Sequence, residues 1–249
     1  MKILICGVGG RMGREVAKLA LDGVRGARAV AGFDILPVDT REFPTYTDWA
    51  SVNEEIDCII DFSHHTATEA LLNFAKAKKI PVVLATTGHT EEELQIIAEA
   101  TEVIPVFRSA NMSLGIALLV ELAKTTAKAF PDADIEIIEK HHNRKLDAPS
   151  GTALLLANAI KTVRERARLI FGRSGQAKRE ADEIGIHAIR MGNIIGEHEV
   201  IVGTDTQTIT LKHEGHSRSL FAEGALAAAE YLCGKPAGLY DMERMISEN

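Results

Sequence analysis

The chain has 249 residues, 46% of them hydrophobic, with 28 Lys and Arg against 35 Asp and Glu and a formal net charge of −7; the length allows one large domain or two small ones, and the acidity argues against general nucleic-acid binding while leaving room for a local basic pocket. Cys6, Cys58 and Cys233 are sparse, odd in number and set among apolar neighbours, which reads as reduced core thiols rather than a disulfide framework. No apolar run approaches the roughly 20 residues a membrane helix needs and no signal-peptide pattern precedes the first strand, so a soluble, cytoplasmic protein without membrane partners is expected.

The first half alternates apolar runs with amphipathic stretches. Residues 3–6, 27–33, 58–61, 82–84 and 103–107 read as buried strands, and 11–21, 66–78 and 91–100 as helices between them. That alternation predicts a parallel sheet with helices on both faces. Thr90 and Glu93 form a capping-box signature at the start of the third helix. Between the first strand and first helix lies Gly7-Val8-Gly9-Gly10-Arg11-Met12-Gly13. Strand, glycine turn and helix are the context a dinucleotide fingerprint requires. The glycines permit a tight turn and close approach of backbone to a pyrophosphate, and the helix start offers free N–H groups. The spacing is G-x-x-G-x-x-G, because Met12 occupies the last glycine position of the stricter G-x-G-x-x-G frame. Asp34 ends the second strand, 21 residues beyond Gly13, near the roughly 20 expected for a ribose-binding acid. Its carboxylate favours a free 2′-hydroxyl and hence NADH. Arg11 and Arg14 lie close enough in sequence to keep a 2′-phosphate, and so NADPH, open.

The pattern then changes. Residues 114–129 follow helical spacing through Ile116, Leu119, Val120 and Ala123. A strand at 135–138 leads into Glu139-Lys140-His141-His142-Asn143-Arg144-Lys145-Leu146-Asp147-Ala148-Pro149-Ser150-Gly151-Thr152, and 152–163 is again helical. Two histidines, a lysine and a turn into a helix suit a site that holds an anion and moves a proton. Backbone N–H groups and hydroxyls of Ser150-Gly151-Thr152 suit a carboxylate, Lys145 adds a point charge, and a histidine titrates near neutral pH. Consecutive side chains of an extended chain point to opposite sides, so His141 and His142 have different tasks unless the chain turns there. The plainer alternative is a solvated polar loop with a helix cap at Ser150. Residues 172–183 read as a loop, and 184–190, 198–202 and 206–211 as strands of an antiparallel or mixed sheet. An alanine-rich helix at 220–232 is placed to pack back on the first domain. His213-Glu214-Gly215-His216 lacks the four-residue spacing of zinc proteases, the cysteines are not grouped, and no metal is expected.

Over essentially its whole length the chain resembles the 4-hydroxy-tetrahydrodipicolinate reductase (dihydrodipicolinate reductase) family of bacterial lysine and diaminopimelate biosynthesis. The resemblance is carried by Gly7 to Arg14, Thr86-Thr87-Gly88, Ser109-Ala110-Asn111-Met112-Ser113, Glu139 through Ala153, Gly185 through Arg190, Gly196-Glu197-His198 and His216 through Ala225. It implies an α/β fold: a Rossmann-like dinucleotide-binding domain over 1–112 and 218–249, and a mixed-sheet α/β domain over 113–217 for substrate binding and homotetramer assembly. It implies NADH- or NADPH-dependent reduction of a cyclic dicarboxylate. His141 matches the family's proton donor and Lys145 its second catalytic residue, which also meets a substrate carboxylate. His142, Ser150, Gly151 and Thr152 match substrate-binding positions. Gly7, Val8, Gly9, Gly10, Arg11, Met12, Asp34, Thr86, Thr87, Gly88, Ser109, Ala110, Asn111 and Met112 match nucleotide contacts. Some members follow the acid of the second strand with an arginine suited to a 2′-phosphate; Ile35 stands there instead and tilts the expectation toward NADH. An aspartate- or homoserine-type dehydrogenase fits the double histidine and the following run poorly, and a nucleotide sensor has no use for a positioned proton donor.

Overall fold

The computed structural model describes residues 1–248, which divide into two compact units: Met1–Leu114 with the stretch from Arg218 onward, and Gly115–Ser217. From the N-terminus run β1 (Lys2–Cys6), α1 (Arg11–Leu21), β2 (Arg28–Phe33), β3 (Thr45–Tyr46), β4 (Cys58–Asp61), α2 (Thr68–Lys78), β5 (Val82–Leu84), α3 (Glu91–Thr101) and β6 (Pro105–Arg108). The chain continues through α4 (Leu114–Ala129), β7 (Asp134–His141), α5 (Gly151–Lys161), β8 (Arg168–Phe171), β9 (Glu183–Arg190), β10 (Gly196–Gly203) and β11 (Thr208–Gly215). It returns with α6 (Ser219–Leu232), β12 (Gly238–Tyr240) and α7 (Met242–Ser247).

In the first unit the strand order is β12-β6-β5-β4-β1-β2-β3, with parallel pairing throughout the described register. The order reverses at β1, so the ends of β1 and β4 form the topological switch point at which open α/β sheets take ligands. Strands buried on both faces are apolar without alternation, as in β4, where Cys58, Ile59 and Ile60 are fully buried. Ile59 joins Leu71, Leu72 and Ala75 of α2 in one core, while Cys58 and Ile60 point to the opposite face of the sheet; each large apolar side chain contributes about 1.5–3 kcal/mol on burial. Helix α3 carries the expected capping box, Thr90 Oγ1 accepting from the Glu93 N–H at 3.2 Å.

The second unit is a mixed sheet in the order β11-β10-β7-β9-β8. β7 is parallel to β9 and antiparallel to β10. One face packs on α4 and α5 through Ile116, Leu119, Leu156 and Ile160 against Ile135, Ile137, Ile184 and Val200. β7 runs to His141 rather than stopping at Ile138, because Glu139, Lys140 and His141 are paired with β9 through Ala188, Ile189 and Arg190. β11 starts two residues later than expected and extends to Gly215, with His213 opposite His198. Glu183, expected in a loop, already belongs to β9. No helix among the described residues is long and apolar enough to cross a membrane.

Candidate active site

The glycine turn of the first unit is built for close approach. Gly7 has φ +73°, and a Cβ there would lie 2.7 Å from the Phe62 carbonyl oxygen. A Cβ at Gly13 would lie 2.1 Å from the Gly7 carbonyl oxygen, so the third glycine of the run is the one that lets α1 pack against the turn. Gly10 stands at the N-cap of α1 and offers no side-chain cap, leaving the helix's first N–H groups to a ligand. Asp34 Oδ2 accepts from the Gly9 N–H at 3.0 Å and Oδ1 from the Leu36 N–H at 3.3 Å. Gly7, Gly9, Gly10, Arg14, Asp34 and Ile35 all line one cavity of about 640 Å³. His64 lines it as well, while His65 turns its Nδ1 to Glu93 at 2.9 Å.

Thr86-Thr87-Gly88 and Ser109 to Met112 follow the C-terminal ends of β5 and β6. Thr87, Gly88 and Ala110 are exposed. Thr86 is buried, and its hydroxyl donates to Asp61 Oδ2 at 2.7 Å. Burial pushes the Asp61 carboxyl up, although the hydroxyls of Ser63 and Thr86 pull the other way. Ser109 Oγ donates to the Asn111 carbonyl at 2.7 Å, and Met112 is buried against α6, where a Cβ on Gly224 would strike the Met112 carbonyl oxygen. Thr86 and Met112 thus shape their loops from inside, and neither lines the glycine-turn cavity.

The second unit gathers the histidine-rich run around one buried carboxylate. Glu139 and His141 are two apart on β7 and so share a face. Glu139 has no exposed surface and His141 is 8% exposed. Glu139 Oε2 accepts from His141 Nδ1 at 2.6 Å and from Arg190 NH1 at 2.8 Å; Oε1 accepts from Arg190 NH2 at 2.7 Å and from the Ser150 N–H at 2.9 Å. Desolvation pushes the Glu139 carboxyl up, but these donors outweigh it and hold its pKa at about 2. An ionised carboxylate only accepts, so His141 Nδ1 carries a hydrogen in either charge state and Nε2 is the atom that gains or loses a proton. Gly196 faces that atom, and a Cβ there would lie 3.2 Å from it.

Ser150 caps α5, its Oγ accepting from the Ala153 N–H at 3.2 Å and meeting His198 Nε2 at 3.2 Å. His198 is buried, its ring edge-on to His141 at 5.2 Å between centroids. Burial first and the neighbouring His141 second push its pKa down to about 3. Lys145 Nζ pairs with Asp147 Oδ1 at 2.9 Å, and that hydrogen bond lowers the Asp147 carboxyl, with a smaller contribution from the Gly151 backbone. His142 leaves the strand, its N–H donating to the Ile194 carbonyl at 2.8 Å. His141, Ser150 and, through Asp147, Lys145 and Gly151 are thus brought together, with Thr152 in the first turn of α5. Sequence reasoning missed Glu139, Arg190 and His198 as members of this cluster. The available signal was the two-residue period linking Glu139 to His141 once the strand is carried to its true end.

These groups set a pH dependence. Folded His198 titrates near 3, below the roughly 6.5 of an unfolded histidine. Between those values the unfolded chain holds a proton that the folded chain lacks, so stability falls as pH falls, by up to about 1.4 kcal/mol per pH unit. Glu139 adds a loss of the same sign from the ordinary carboxylate range down to its folded value of about 2. The melting temperature is expected to drop from about pH 6.5 downward, and His198→Gln to flatten the upper part of that slope. Equal slopes for the two proteins between pH 6.5 and 5 would remove His198 from the account.

Two family models cover the chain: that for the N-terminus of dihydrodipicolinate reductase matches residues 1–112, and that for its C-terminus residues 115–246. The chain is 48% identical over 252 residues to the 4-hydroxy-tetrahydrodipicolinate reductase of Caldanaerobacter subterraneus subsp. tengcongensis, covering 100% of this chain and 99% of that one. It is 45% identical over 249 residues to the enzyme of the same name from Clostridium tetani, covering 99% and 97%. Among solved structures, the dipicolinate-bound dihydrodipicolinate reductase from Paenisporosarcina sp. TG-14 matches with a TM-score of 0.80 at 26% identity over 97% of each chain.

Proposed function

The chain belongs to the dihydrodipicolinate reductase family, and from that premise we propose how its residues divide the work of reducing 4-hydroxy-tetrahydrodipicolinate with a pyridine nucleotide. The 4-hydroxyl leaves as water, hydride adds at the unsaturated carbon left behind, and His141 donates the proton from Nε2 to the neighbouring carbon. Lys145, the N–H groups of Gly151 and Thr152 and the hydroxyls of Ser150 and Thr152 at the start of α5 hold a substrate carboxylate, and His142 takes part in binding the same dicarboxylate. The observation that carries this reading is the His141 imidazole, tied through Nδ1 to a buried carboxylate at 2.6 Å in the same cluster as an anion-holding helix start.

The cofactor fits the first unit. The glycine turn leaves no room for a Cβ at Gly7 or Gly13, and the uncapped start of α1 presents N–H groups where a pyrophosphate needs them. Gly7, Val8, Gly9, Gly10, Arg11 and Met12 would hold the pyrophosphate, and Asp34 the adenosine ribose. Thr86, Thr87, Gly88, Ser109, Ala110, Asn111 and Met112 would frame the remainder. When bound, the nicotinamide supplies the hydride. Asp34 beside the exposed Ile35 favours a ribose with a free 2′-hydroxyl, and so NADH, although Arg14 lines the same cavity. We further place the enzyme in the cytoplasm as a homotetramer, assembled through the open face of the second sheet, which carries Ile138, Ile189 and Ile201.

The test is loss of reduced-nicotinamide absorbance, with substrate generated in place from pyruvate and aspartate semialdehyde by the preceding synthase. Turnover is expected with both cofactors, with kcat/KM higher for NADH, and Asp34→Ala should lower the NADH value by about 10- to 100-fold, the loss of one hydrogen bond to an ionised group. No turnover with either cofactor, in folded nucleotide-binding protein, would overturn the reading. A clear NADPH preference would overturn the role given to Asp34.

A further inference from the structure

We propose that Glu139 is the positioning residue of the acid–base site: it fixes the ring of His141 with Nδ1 protonated, stabilises the imidazolium that must form between turnovers, and is itself held by Arg190. The inference rests on His141 being the proton donor and adds the partners that make it one. Burying a carboxylate costs several kcal/mol unless its oxygens are fully paired. Pairing with Arg190 and the Ser150 N–H supplies three donors. The fourth comes from His141, at the shortest distance of the set, 2.6 Å. A carboxylate needed only to tie β7 to β9 requires the arginine alone. Here its remaining lone pair is directed at the imidazole two residues along the same strand, which orients the ring so that Nε2 points toward Gly196, away from the ion pair.

Arg190 is the counterweight. Its guanidinium spans both Glu139 oxygens and also donates to the Asp147 carbonyl. It thereby bridges the buried carboxylate to the loop that carries Lys145. Its positive charge offsets part of the attraction that Glu139 exerts on a protonated His141. The charged and titratable groups around the imidazole are then Glu139 on β7, Arg190 on β9, His198 on β10 with His213 behind it on β11, and Lys145 and Asp147 in the loop. Two of them, Glu139 and Arg190, act on His141 with opposite sign, and each can be removed separately.

The experiment is the pH profile of kcat/KM for the unaltered enzyme, Glu139→Gln, Arg190→Met and His141→Gln, with near-ultraviolet circular dichroism to establish folding. Gln keeps the shape of Glu139 and an acceptor oxygen but not the charge. Glu139→Gln is expected to lower kcat about 10- to 100-fold with KM within about threefold, the size of a lost orienting partner. It should also move the limb on which the proton donor titrates to lower pH by about one unit or more, since the nearest opposite charge is gone. Arg190→Met should move the same limb to higher pH. A purely structural ion pair would lower stability and leave the limb in place. An unmoved limb in folded Glu139→Gln, alongside an inactive His141→Gln, therefore overturns this proposal and leaves the proton donor standing. Near-normal activity of His141→Gln overturns the proton donor and this proposal with it. Should Glu139→Gln not fold, Arg190→Met carries the test, and a limb that fails to rise overturns the proposal.

Discussion

Replacing His141 by Gln is expected to lower kcat by about 10²- to 10⁴-fold, the range for a lost general acid, while nucleotide dissociation constants measured by titration calorimetry stay near their original values. The separation follows from where the residues lie. The groups assigned to the cofactor belong to Met1–Leu114, and His141 to Gly115–Ser217. A glutamine amide can still donate to Glu139, and Arg190 and the Ser150 N–H keep that carboxylate paired, so the fold around the site is retained. What the amide lacks is an exchangeable proton at the position of Nε2. A substrate that receives hydride but no proton at the neighbouring carbon cannot complete a two-electron reduction. The loss should therefore fall on kcat and kcat/KM alike, the mark of an interaction made only in the transition state. Retained near-normal kcat would refute the role and move the proton source to water or to Lys145.

The two halves of the site differ in how far the sequence reveals them. The glycine turn is local: strand, turn and helix are contiguous, and Gly7, Gly10 and Gly13 answer to steric demands within that stretch or, for Gly7, against the end of β4. Gly13 shows why the G-x-x-G-x-x-G spacing works, since the close helix–turn contact falls there and not at Met12. The acid–base cluster is non-local. Arg190 and His198 come from β9 and β10, roughly fifty to sixty residues beyond Glu139, and nothing near His141 in sequence announces them. Strand propensity also misleads there. Glu139-Lys140-His141 lacks the apolar alternation that marks a strand, so the strand was expected to stop at Ile138, and the two-residue period that puts Glu139 and His141 on one face went unread. Short edge elements escaped for a related reason. β3 and β12 are two and three residues long and exist through pairing with β2 and β6, an influence that no window of local sequence contains.

Lys145→Ala is expected to raise KM for the dicarboxylate by about 10- to 100-fold, the value of one hydrogen bond to an ionised group at about 1.5–3 kcal/mol, and to lower kcat as well. The geometry supplies the argument through a neighbour. In the chain by itself Lys145 Nζ holds Asp147 Oδ1 at 2.9 Å, and the Gly151 backbone adds to the lowering of the same carboxyl. A carboxylate thus already sits against two of the groups assigned to the substrate carboxylate. Asp147 is 57% exposed at its side chain, and an ion pair that open to water is worth about 0–1 kcal/mol. A dicarboxylate with one end on Lys145 and the helix start displaces it at little cost. The two variants should then move KM in opposite directions: Lys145→Ala removes the cation, whereas Asp147→Asn removes the competitor and lowers KM by up to about fivefold, the equivalent of about 1 kcal/mol. Steady-state kinetics of both variants decide the matter. An unchanged KM in Lys145→Ala would mean that the carboxylate is held elsewhere, and a raised KM in Asp147→Asn would mean that Asp147 orients Lys145 for the substrate rather than occupying its place.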